Sequence, residues 1–306
     1  MSQYGRFFDF CRDSGSGYAT IPVCNLFYES RARPNNVVDQ TNYFGGCQLT
    51  GIPLGDDRYL ANLGSILVAG IAILSVFFLL WRSERKRAAV GRREMQFFLI
   101  GYLIIEVCEI FSIGGFPLNS RVRRAFSAAH IAAVVATSWI LLMNGAVGFQ
   151  ILYDGTWASL LLIFGSATAL FVGTGYIALD TGFSWTGYWD STLVAPNQAY
   201  ALYTLFLLVP LIFVVLYFVL ESVLVLRVLG EIRPMYYLVA AALLFAIGQI
   251  FQFVISVHIC NGTNGKINGG LFESLFTYFS VVMIWVFWSS ITEDDWPTSS
   301  TTEGYN

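Results

Sequence analysis

The stretch ANLGSILVAGIAILSVFFLLW, Ala61 to Trp81, holds no charged side chain and runs straight into RSERKRAAVGRR, Arg82 to Arg93. In a helix rising 1.5 Å per residue, roughly 20 apolar residues cross a hydrocarbon core about 30 Å thick, with every backbone group bonded inside the segment. Six further stretches meet the same requirement: Met95 to Phe116, Ala125 to Leu152, Trp157 to Leu179, Ala199 to Leu226, Met235 to Val257 and Leu271 to Trp288. Composition agrees, since 56% of the 306 residues are hydrophobic and 12% are charged, about half the charge of a soluble domain. The expected fold is all-α, a polytopic membrane protein built as a seven-transmembrane-helix bundle. The connector Tyr153 to Thr156 is so short that the third and fourth helices must be antiparallel neighbours. Residues 1–60 form a lumenal N-terminal cap, 61–288 the transmembrane domain, and 289–306 an acidic cytosolic tail with the Ser-, Thr- and Gly-rich ending expected of disorder.

Sidedness follows from Lys and Arg in short loops, because these resist translocation whereas acidic residues count for little. Arg82, Arg85, Lys86, Arg87, Arg92 and Arg93 all lie between the first two spans, which makes that loop cytosolic. Arg227 and Arg233 add to the same side, and Arg121, Arg123 and Arg124 oppose them. An odd number of spans then leaves Glu293, Asp294 and Asp295 in the cytosol. Met1 to Arg12 carries aspartate and arginine where a signal peptide needs an apolar core, so the first span is expected to direct membrane targeting.

Two chemical features fit that orientation. Asn261-Gly-Thr263 is an N-glycosylation acceptor pattern in the loop placed in the lumen. Cys11, Cys24, Cys47 and Cys260 share the same oxidising side, where they can form up to two disulfides in any of three pairings, whereas Cys108 lies inside the second span. A bond from the N-terminal segment to Cys260 would staple that segment over the lumenal mouth of the bundle.

Soluble-enzyme signatures are missing: there is no Walker loop, no dinucleotide fingerprint, no HExxH and no GxSxG. His130 and His258 have no cysteine or second histidine at ligand spacing, so no metal site, cofactor or nucleic-acid partner is expected.

Taken in order, the loops and helix ends resemble those of the fungal chitin synthase export chaperone family, of which the chain is similar to a divergent member. The resemblance rests on Phe8-Asp9-Phe10-Cys11, Ile21-Pro22-Val23-Cys24, Gly46-Cys47 and Tyr59-Leu60-Ala61-Asn62 before the first span. It continues through Ala89 to Met95, Asn144 to Gln150, Asp154-Gly155-Thr156, Gly248-Gln249, Ile259-Cys260 and Phe287 to Thr292. It implies a non-enzymatic role in the endoplasmic reticulum membrane: a chaperone that binds a polytopic chitin synthase and permits its folding and export for cell wall chitin synthesis. Such a client carries polar groups in its spans until assembly is complete, and side-chain amides can partner them temporarily. Asn144, Gln150, Gln249 and Gln252 are the client-binding candidates, the last two being three residues apart on one helix face. The acidic tail is a candidate contact for export-coat adaptors. Where the family tends toward acidic residues after the second span and before the seventh, this chain has Ile113 and Gly269.

Acidic residues appear instead inside spans. Glu106 lies at the middle of the second, and Glu109 is one turn further on the same face, about 4.5 Å along the axis. A carboxylate at bilayer centre costs roughly 3 kcal/mol or more, so such residues face a bundle interior and mark function. Glu221 and Glu273 are expected nearer the membrane interfaces, at lower cost. These glutamates support an alternative: a paralogue acting as an intramembrane enzyme on an apolar substrate such as a prenyl chain in secondary metabolism. Glu106 or Glu109 would then be the proton donor, with Phe97, Phe98, Tyr102 and Phe111 as pocket walls.

Overall fold

A computed structural model describes residues 4–7, 10–11, 21–27, 49–55, 58–113, 119–150, 155–189 and 199–292. The expectations for Cys47 and for the acidic tail fall outside these residues. A short helix α1 (Pro22–Leu26) and a hairpin of β1 (Ile52–Gly55) with β2 (Arg58–Leu60) precede seven long helices. These are α2 (Leu63–Arg85), α3 (Arg92–Ser112), α4 (Ser120–Gly148), α5 (Trp157–Phe183), α6 (Tyr200–Leu229), α7 (Arg233–Gly262) and α8 (Gly269–Ile291), each long and apolar enough to cross a membrane. The two-stranded hairpin is the one departure from the all-α expectation among the described residues.

Helix ends differ from the apolar limits because polar caps, and not hydrophobicity, set them. The side chains of Asn62, Asn119, Thr156 and Asn268 accept bonds from the backbone N–H groups of Ser65, Arg121, Ser159 and Gly270, satisfying donors that have no helical partner. α3 stops at Ser112, short of the expected Phe116, just before the Gly114-Gly115 pair. α4 stops at Gly148 because Gln150 turns the chain through φ +56°, a left-handed conformation.

Six of the long helices close a ring in the order α2, α3, α4, α6, α7, α8, with α8 returning to α2, while α5 packs outside on α4. α4 is the hub: 67% of its most apolar stretch is buried, against 17% for α5. The outer faces keep Leu67, Leu74, Leu161, Val172, Val215, Leu243 and Val254 exposed, the inverse of a soluble protein and the arrangement lipid requires.

Tryptophans close the ring at the end holding the Arg82–Arg93 loop. Trp285 donates to Ser83 Oγ (2.8 Å) and Trp288 to the Val90 carbonyl (2.9 Å). At the opposite end, Arg123 and Arg124 are buried inside the start of α4, and Arg124 donates to the Gly182 carbonyl (2.7 Å) with its guanidinium against Phe183. Two of the three arginines that oppose the charge bias are therefore packing elements, not loop residues.

The N-terminal segment seals that same end. Cys11 and Cys24 form a disulfide, tying the residues around Phe7 to α1. Phe7 packs on Tyr203 and Phe206 of α6, and Phe10 on Phe253 of α7. Cys260 is also disulfide-bonded, and Cys108 is a free, buried thiol. Asn261 is exposed at the end of α7, and Thr263 Oγ1 donates to the Ile259 carbonyl.

Candidate functional site

Glycine at helix crossings brings polar faces together. A Cβ on Gly101 of α3 would clash with Thr137 Oγ1 of α4, and one on Gly269 would run into the Phe251 carbonyl and Ser256 of α7. α6 and α7 are locally widened by π-helical turns at Thr204–Leu208 and Phe251–Ile255. The first ends two residues before Pro210, which has no N–H to continue a normal ladder.

These approaches enclose a cavity of about 420 Å³ among α3, α4, α6, α7 and α8, within the range of roughly 300–1,000 Å³ usual for small-molecule sites. Glu106 and Glu109 face it from α3, His130 from α4, Gln249 and Gln252 from α7, and Glu273 from the first turns of α8. Ser274 Oγ donates to Glu109 Oε1. Thr277 Oγ1 donates to Glu273 Oε1 (3.0 Å), and Gln249 Nε2 reaches the same oxygen (3.4 Å). Glu106 Oε2 and both ring nitrogens of His130 are buried with no hydrogen-bond partner among the described residues. The three carboxyls lie close enough to repel one another when ionised.

The opposite end of the cavity is apolar, walled by Phe98, Leu141, Val214, Phe218, Val281 and Ile284. Phe98 and Glu109 are eleven steps apart on one helix, about 16 Å along the axis, so polarity is graded over that length. Ile21 and Pro22 close the polar end. Leu211 of α6 lines the cavity and is also 53% exposed, so the cavity wall is open to the surroundings at this residue.

Of the residues singled out in the sequence, Glu106, Glu109, Gln249 and Gln252 meet around this cavity. Asn144 and Gln150 do not: Asn144 is buried and donates to the Gly91 carbonyl (3.3 Å), whereas Gln150 is exposed just beyond α4. The two acids expected nearer the membrane interfaces are both buried in the bundle. Glu273, in the first turns of α8, faces the cavity, because α8 begins beside the widened turn of α7. Glu221 is 3% exposed, against Gly145 where α6 crosses α4. Among the proposed aromatic walls, Phe98 and Tyr102 line the cavity, but Phe97 turns to Phe164 of α5 and Phe111 to Phe126 of α4.

A family model described as chitin synthase export chaperone matches residues 3–302. The chain belongs to the chitin synthase export chaperone family. A relative of that name in Coccidioides immitis is 26% identical over 294 residues, covering 95% of this chain and 83% of the relative. One in Aspergillus clavatus is 26% identical, with 92% and 82% covered, and one in Cryptococcus neoformans is 29% identical, with 84% and 70% covered. No solved structure matches.

Within this export chaperone family, the glycine at position 269 has a steric reason here, since the Phe251 carbonyl leaves no room for a side chain. His130, read in the sequence only as a histidine without metal-ligand spacing, and Glu273, expected nearer a membrane interface, also line the cavity. The signal for Glu273 was its spacing of one turn from Thr277 on an otherwise apolar helix.

Proposed function

We propose that this protein is an endoplasmic reticulum membrane chaperone needed for folding and export of a chitin synthase. The family match over residues 3–302 is the observation that carries this reading. The Arg82–Arg93 loop then faces the cytosol, with the disulfide-tied cap and Asn261 in the lumen, as the charge bias supports. The intramembrane enzyme gains no support from the relatives named above, all of which are called export chaperones.

A polytopic client must be met by span faces, and α5 is the outermost span. Its Gly165 and Gly173 have open space where a Cβ would stand, and Ala169 between them is exposed, so Gly165, Ala169 and Gly173 form a small-residue stripe at four-residue spacing. Stripes of this kind let a neighbouring helix approach closely. Of the four candidate amides, Gln150 is the one presented outward, at the other end of α4 from the cap. Deleting the gene in its fungal host and following a tagged chitin synthase tests the proposal. Retention of intact client in the endoplasmic reticulum, rescued by the wild-type gene, is the expected result; normal delivery to the cell surface would refute it.

A further inference from the structure

The cavity among α3, α4, α6, α7 and α8, about 420 Å³, has the size usual for a small-molecule site. The chemistry of its walls narrows the occupant further. At the polar end stand three carboxyls, Glu106, Glu109 and Glu273, and no Lys or Arg among the described residues lines the cavity. Ionised carboxyls would repel an anion, and a purely apolar molecule would leave Glu106 Oε2 unmet, which is costly in a low-dielectric interior. A second, independent feature points into the same space: His130 is 7% exposed and both its nitrogens lack partners among the described residues. Glu106 Oε2 is likewise unpartnered. No group of three or more acidic, histidine and cysteine side chains among the described residues is placed to hold a metal ion. An organic group with several hydrogen-bond donors and a positive charge fits these walls.

At the far end, Phe98, Leu141, Val214 and Ile284 ask for an alkyl body, and the axial length of about 16 Å suits a medium or long chain. A lateral route fits the walls, since Leu211 both lines the cavity and is exposed, while Phe7 and Phe10 cover the end of the ring. We propose that this cavity binds a long-chain primary amine from the bilayer, its ammonium among Glu106, Glu109 and Glu273 and its chain toward Ile284. This goes beyond the export role and does not depend on it.

The test uses full-length protein purified in detergent and a photoactivatable, clickable sphingosine as probe. Labelling is expected on cavity-lining peptides of α3, α6, α7 or α8, and dodecylamine should suppress it at least tenfold at a concentration where dodecanol and dodecanoate do not. Glu106→Gln with Glu273→Gln should lower labelling at least tenfold. Val214→Trp fills the apolar end while leaving every carboxyl in place, so it decides the matter if the glutamine pair fails to fold. Equal competition by the alcohol or the carboxylate, labelling confined to outer positions such as Leu161, or full labelling of a folded Val214→Trp protein would overturn the proposal.

Discussion

Replacing Gly165 and Gly173 of α5 by leucine separates folding from client contact. Each glycine is exposed, and an added Cβ meets no atom within 4 Å, so neither change creates a clash. Removing two helix-interior glycines should favour the helix by about 1 kcal/mol each, and the melting temperature should hold or rise. For a partner helix the sign reverses. Leucine side chains would prevent close approach and remove packing worth ~1–2 kcal/mol, which corresponds to roughly five- to thirty-fold weaker association by the tenfold-per-1.4 kcal/mol rule. The same class of change at Gly101 provides the contrast, because there the Cβ would strike Thr137 Oγ1 and lie 3.1 Å from its Cγ2. Overpacking at such a crossing costs about 1–3 kcal/mol, so Gly101→Val should melt early and lose export through misfolding. The assay is complementation of a deletion strain, scored as client at the surface, beside thermal melting of each purified variant. Full client delivery by a stably folded Gly165→Leu/Gly173→Leu protein would show that α5 is not the face the client meets.

Three further outcomes are expected. Replacing Cys11 and Cys24 by serine opens a loop with a sequence separation of 13, worth about 3 kcal/mol of chain entropy; faster proteolysis of the N-terminal segment should follow, and unchanged cleavage would mean the aromatic contacts hold the cap alone. Arg124→Met removes a buried charged hydrogen bond to the Gly182 carbonyl, so stability should fall by about 1.5–3 kcal/mol in denaturant titration, and a loss below half of that would argue that the guanidinium contributes little to stability. Endoglycosidase treatment should shift the wild-type protein on a gel and leave Asn261→Gln unshifted, while absence of any shift in cells that glycosylate other lumenal proteins would count against the assigned sidedness.

The spans were legible because a bilayer allows few alternatives: uncharged stretches such as Ala61 to Trp81 can only be helices there. The shared face of Glu106 and Glu109, and that of Gln249 and Gln252, followed from helical spacing alone. What a linear pattern cannot carry is which faces meet. Glu273 joins the α3 glutamates only because α8 starts beside the π-helical turn Phe251–Ile255, a widening with no signature in hydropathy. The burial of Arg123 and Arg124 was hidden for a related reason. Three basic residues at a helix start read as a loop charge, until the fold shows that the Gly182 carbonyl and the Phe183 ring receive one of them.

The ring is closed by α8, the last of the seven helices to be synthesised. It bridges α2 and α7, supplies Ser274 to Glu109, and seats Trp285 and Trp288 against Ser83 and Val90 near the end of the first span. Until it emerges from the ribosome, the glutamates of α3 have one wall missing and face whatever surrounds the nascent chain. A polypeptide cut short before Gly269 would thus display ionisable groups to lipid, the kind of flaw that membrane quality control recognises, so the protein's own completeness is checked by the same physics it is proposed to offer its client.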